Sequence, residues 1–152
     1  MANTQAFCSQ AKVDFMNGLH ALGASVIRGA TTKDVYNSAL YLVSATRNAT
    51  DTVYNTTGEV SGTNYSAGGV VVTTATGPQL DTTTAHFTPS ASIVFSNVTL
   101  ATAFDACIIY NDTSATKLQI SVHTFGSQTV TAGDFTLTMP TDDGTTGLIR
   151  IA

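Results

Sequence analysis

The period of the hydrophobic pattern changes once along the chain. Between Gln5 and Leu22 the apolar positions Phe7, Ala11, Phe15, Leu19 and Leu22 recur at steps of four, four, four and three. That is the spacing of one stripe on an amphipathic helix. Gln10, Lys12, Asp14 and Asn17 supply a polar face, Asn3 or Thr4 can cap the start, and Gly23 can end it. The pattern predicts a helix over residues 5–22, anchored by Phe7, Phe15 and Leu19. After Gly29 the period becomes two. Val35 to Ser44 carries β-branched and aromatic residues on both faces, as a central strand does. Further strands are predicted at 70–74, 85–87, 93–95, 103–110, 118–125, 135–139 and 148–151, each bounded by Gly, Pro, Asn, Asp or Thr-Ser. Short strands at this spacing describe a mainly β protein, an antiparallel β-sandwich or barrel-like domain with one N-terminal amphipathic α-helix packed on it. Residues 45–69 interrupt the pattern with a polar stretch holding Gly58, Gly62, Gly68 and Gly69. It is too long for a turn, which points to an ordered excursion with functional or assembly meaning. With no repeat or interdomain linker, residues 1–152 read as a single domain whose β portion spans 35–152.

Composition sharpens this picture. The chain has 28 Thr and 12 Ser, and charged residues are only 11% of it, under half of the roughly 25% usual in soluble domains. A net charge of −4 with six Lys and Arg argues against nucleic acid, because phosphate neutralisation needs clustered cations. A surface of hydroxyls, amides and small residues suits a protein packed against other protein. No secretory signal pattern and no apolar run long enough for a membrane span is present, so folding in a cytoplasm is expected. The two cysteines, Cys8 and Cys107, lie on opposite halves, in the predicted helix and a predicted strand. They read as buried free thiols, with pairing open only if the fold brings them together.

Catalytic constellations are hard to find. His20, His86 and His123 are far apart and belong to no zinc spacing. Neither Gly58–Gly62 nor Tyr65–Gly69 makes a G-x-S-x-G elbow, and both precede a strand rather than a helix. Asp142-Asp143-Gly144 reads as a turn and lacks the alternating ligands of a calcium loop. Glu59, the sole glutamate, lies inside the glycine-rich excursion. A specific hydrogen bond, or a salt bridge to Arg28, Arg47 or Lys33, would let it lock that loop. Tyr65 is expected to bury its ring against a strand while its hydroxyl finds a partner. Gly68 and Gly69 are expected to take positive φ. No catalytic residue, cofactor or metal site is assigned, and a noncatalytic protein is expected.

The segment Thr57-Gly58-Glu59-Val60-Ser61-Gly62-Thr63-Asn64-Tyr65-Ser66-Ala67-Gly68-Gly69 resembles the "TGEVSGTGYTAGG" signature of a family of small virion structural proteins of tailed bacteriophages. Ser38–Val43 is similar to that family's "KVALYT" strand. Phe95–Leu100 followed by Ile108–Asn111 is similar to its "W-S-N-V-T-L…A-L-I-Y-N" block, and Gly133–Leu137 and Leu148–Ala152 to its last two strands. The likeness spans most of residues 7–152, with Phe95 where the family often has Trp and Asn64 where Gly is common; Asn64 is a fair substitute if the position is left-handed.

The resemblance implies a noncatalytic virion component, assembled in the host cytoplasm. A capsid decoration or cement protein bound to the major capsid protein and prone to self-association comes first. A tail or neck component (tube, adaptor or fibre-anchoring subunit) is the alternative. A host-surface binding module comes third, since Trp, the best stacking platform, is absent.

Overall fold

In the computed structural model, residues 3–8, 11, 15, 18–22, 33–82 and 84–151 are described. Eight strands follow in chain order: β1 (Ala6–Phe7), β2 (Tyr36–Leu42), β3 (Val70–Val72), β4 (Gln79–Asp81), β5 (Thr84–Phe87), β6 (Ile93–Asn111), β7 (Gln119–Leu137) and β8 (Ile149–Ile151). They form two antiparallel sheets, one of five strands in the order β1-β7-β6-β2-β3 and one of three in the order β4-β5-β8. Neither closes into a barrel.

Period-two alternation makes two cores from one sheet. On one face Tyr36, Leu40, Cys107 and Ile109 join Phe87 and Ile149 of the small sheet. On the other, Ala39, Tyr41, Ala106, Ile108, Tyr110 and Val122 pack with Cys8 and Ala45. β2 and the inner half of β6 are therefore buried on both sides, which is why they read as near-continuous apolar runs.

The predicted strands 93–95 and 103–110 are a single 19-residue strand, as are 118–125 and 135–139. The polar stretches between them are bulges, not turns. Between Phe95 and Ala106 the β6–β7 pairing shifts register four times. Each surplus on one strand is offset by one on the other. Ile93–Phe95 thus meet Leu137–Phe135 in the frame that pairs Cys107–Ile109 with His123–Ser121. Bulges bend and coil a ribbon, and here they fold it back on itself. Phe104 pairs with Gln128, yet its ring lies 4.9 Å from that of Phe135, seven residues further along β7. A flat strand would separate them by about 23 Å. Phe95, Phe104, Phe125 and Phe135 fill the inside of this corner.

Side chains serve the backbone groups that the bulges release from the ladder. Asn97, at φ 52°, donates its amide to Asp134 Oδ1 (2.7 Å), and Ala132, at φ 46°, donates to Thr99 Oγ1 (3.0 Å). Asn64 Nδ2 donates to the Asn97 carbonyl (2.8 Å). Elsewhere Thr88, Ser90 and Thr113 hydroxyls accept from the amides of Leu148, Ala75 and Val35. Four of the Thr and Ser hydroxyls thus satisfy irregular backbone.

The N-terminal segment keeps its helical conformation at Ala11 and Phe15 and departs from it on either side. Ala6–Phe7 pair with Val122–Ser121 as an edge strand, because that edge offers unpaired backbone groups that override local propensity. Gly18, at φ 68°, excludes a helix that continues through to Leu22. Apart from residues 5–8, Ala11, Phe15 and 18–22, the predicted helix lies outside the described residues. Phe7 and Phe15 are partly buried with rings 5.8 Å apart, whereas Leu19 is 45% exposed. Replacing Phe104, fully buried at the corner, with Ala should cost about 3–5 kcal/mol in denaturant unfolding. Val94→Ala on the exposed side should change stability by less than about 0.5 kcal/mol.

Candidate interaction loop and corner cleft

Residues 43–69 leave the end of β2 and return to begin β3, and they are stitched down at three places. Near β2, the Leu42 amide donates to the Gly58 carbonyl (2.9 Å) and the Val60 amide to that of Leu40 (3.0 Å). Near the β6–β7 turn, Tyr54 donates to the Lys117 carbonyl and Gln119 to that of Thr52, both at 2.9 Å. At the corner, Thr99 donates to Thr63 (3.1 Å).

Glu59 ties these contacts together. Its Oε2 accepts from the Tyr54 hydroxyl (2.7 Å), and its Oε1 accepts from the Tyr65 hydroxyl (2.7 Å) and the Gly68 amide (2.8 Å). Tyr65 Oη in turn accepts from the Leu40 amide (3.0 Å), and the Tyr110 hydroxyl donates to the Gly68 carbonyl (2.9 Å). Tyr54 stacks on Tyr110 at 4.6 Å and Tyr65 on Phe95 at 5.8 Å. Burial first, and then the Glu59 carboxylate, raise the Tyr54 phenol above its ordinary range; burial also dominates at Tyr65. A charged acceptor with neutral donors makes short, strong hydrogen bonds, so the loop is locked without a cation. Of the expected cationic partners, Arg47 sits over the Tyr41 ring and 3.7 Å from Asp51, Lys33 donates to the Thr74 carbonyl, and Arg28 lies outside the described residues.

Gly68 and Gly69 take φ values of 93° and 74°. A Cβ on Gly69 would overlap the Ser38 carbonyl oxygen, so the loop meets β2 backbone to backbone. Asn64 is left-handed, at φ 59°. Sequence reasoning found Glu59, Tyr65, Gly68 and Gly69 but missed Tyr54 and Tyr110. Their only signal was their number: five tyrosines in a chain without tryptophan.

The second feature is a cleft of about 560 Å³ inside the corner. Cys107, Ile109, His123 and Phe125 line it from one limb of the bent ribbon, and Ile93, Phe135, Leu137 and Met139 line it from the other limb and the segment that follows. Cys107 lies opposite His123 in the ladder. Burial pushes the Cys107 thiol up to about 12, and that of Cys8 to about 11, so both are poor nucleophiles at neutral pH. Both are buried and free. His123 Nε2 lies 2.8 Å from Ser121 Oγ, and burial lowers the imidazole to about 4.

The remaining candidates hold structure together. His86 Nδ1 lies 3.0 Å from Asp142 Oδ1. Asp143 accepts from the Thr146 and Thr145 amides, bonds that hold its carboxyl below the usual range. His20 packs beside Asn111 and Phe15. Among the described residues no three His, Cys, Asp or Glu side chains converge as a metal site, and no helix is long and apolar enough to cross a membrane. No family profile, curated protein or solved structure matches the chain.

Gly69→Ala should destabilise the fold by more than about 1 kcal/mol, while Gly126→Ala, whose Cβ meets nothing within 4 Å, should be near neutral in the same unfolding assay. His123 gives a pH test. Its imidazole is lowered from 6.5 to about 4 by burial, so between those values the unfolded chain binds more protons. Its contribution to stability is complete above pH 6.5 and falls away toward pH 4. Unfolding measured across that window should lose part of its slope in His123→Phe, and NMR should place the imidazole midpoint near 4.

Proposed function

We propose that this chain is a noncatalytic bacteriophage virion structural protein, specifically a decoration or cement protein that binds the outside of the assembled head. The observation that carries the reading is the mechanical role of the signature residues. Glu59, Tyr65, Gly68 and Gly69, on which the resemblance to phage virion proteins is densest, are the residues that pin the excursion to the sheet. A signature of this kind specifies a rigid surface rather than a reaction. We read the two sheets as an open sandwich whose rim presents apolar side chains, including Val71 at 65% and Leu80 at 72% exposure.

Such a surface suits a ligand of a shell. A protein that binds the expanded, assembled state in preference to free subunits stabilises that state by mass action. Many copies bridging neighbouring subunits gain avidity without any single strong contact. With so few charges, little of the binding is Coulombic.

The test is a copy-number measurement on purified particles. Hundreds of copies support head decoration. About six to a few dozen, the multiplicity of a symmetric ring, would instead indicate a tail or neck component, and complete particles lacking the chain would refute the proposal. Attachment to heads should also change little between low and high salt; a steep loss with ionic strength counts against it.

A further inference from the structure

We infer that the corner cleft and the outer edge of β7 beside it form a docking site for an extended, uncharged segment of the shell protein, which inserts a tyrosine side chain next to His123. The inference rests on the decoration reading for the identity of the partner, and on the cleft itself for its chemistry.

Three independent observations converge here. The cleft has the volume of a small-ligand pocket, about 560 Å³, with aromatic and aliphatic walls from Phe125, Phe135, Leu137 and Met139. No Asp, Glu, Lys or Arg lines it. A charged group entering would lose its hydration without a counter-charge, which is costly, so the charge match is to a neutral occupant.

Its polar handle is His123, half-buried on the cleft wall. One ring nitrogen is engaged by Ser121 Oγ at 2.8 Å, and the other makes no hydrogen bond among the described residues. An occupant with an apolar ring and a single hydroxyl satisfies both the wall and the imidazole, and tyrosine is the side chain with that division.

The strand edge supplies the backbone half of the site. β1 covers β7 only at Ser121 and Val122. Past Val122 no strand among the described residues pairs with the outer side of β7. Gly126–Thr129 are exposed, and the space around Gly126 is open. Edge strands are commonly protected by Lys, Pro or inward charges. From Gln119 to Leu137 there is no Lys, Arg or Pro, and the one acid, Asp134, is engaged by the Asn97 amide. An exposed edge beside a side-chain pocket is the arrangement used in strand addition, where main-chain bonds supply affinity and the pocket supplies selectivity.

The test titrates the full chain with the peptide acetyl-Thr-Val-Tyr-Val-Thr-amide, followed by NMR. Saturable binding is expected, with shifts at Thr124, Gln128 and the His123 ring. Replacing the central tyrosine by phenylalanine should weaken binding about tenfold through the lost hydroxyl, and replacing it by glutamate should abolish binding. Gln128→Trp, at an exposed position on the cleft wall, should block binding while leaving the circular dichroism unchanged. His123→Phe should erase the preference for tyrosine over phenylalanine. The peptide should also compete with the chain for purified heads that lack it. If the chain decorates heads while the peptide fails to bind, or binds without touching cleft residues, the docking inference is overturned and the decoration reading stands. If the peptide seats in the cleft but the chain does not attach to heads, the assignment to a shell protein is overturned, and the cleft chemistry survives.

Discussion

The fold depends on the register of one ribbon. β6 and β7 are long enough to run far past the rest of the sheet, and a regular ladder would carry their outer ends away from the core. Compensating bulges turn the ribbon back while leaving the pairing frame unchanged beyond the corner. Phe104 can then meet Phe135, and Ile93 and Phe95 can bury in the same core as Leu40 and Ile109. The cleft is a consequence of this fold-back, since both limbs and the segment after β7 form its walls.

At that corner and at the loops, short polar side chains acquire a structural role. A bulge releases amides and carbonyls from the ladder, and each needs another partner. Thr99, Asp134 and Asn64 supply partners at the corner, and Ser90, Thr88 and Thr113 do so at loops and strand ends. Short side chains bond backbone brought near them by the fold without the rotamer entropy cost of long ones. The composition therefore serves irregular backbone as well as the surface, and it leaves the exterior poor in charge.

The excursion at 43–69 follows a related logic. A long loop over a sheet must satisfy its own backbone, and here a single carboxylate gathers two phenols and one amide. Tyr54 and Tyr110 stack against each other below this point, and Gly69 lets the chain approach Ser38 without a Cβ between them. The loop is held as a surface of fixed shape, as the proposed attachment role requires.

Local sequence determined the β class, the strand at Tyr36–Leu42, the punctuation around most other strands, and the importance of Glu59, Tyr65, Gly68 and Gly69. These follow from alternation, turn chemistry and glycine geometry, all of which act over a few residues. Tertiary structure decided the rest. Whether Ser96–Thr102 is a loop between strands or a bulged part of one depends on what β7 offers across the ladder. Ala6–Phe7 became a strand against their helical spacing because an open edge was available to pair with them. The partners of Glu59 are phenols brought from positions 54 and 65 instead of nearby cations, and the cleft joins residues more than forty positions apart, Ile93 and Leu148 among them. Pairing register and long-range contact are properties of two segments at once, and a one-dimensional pattern carries only one of them at a time.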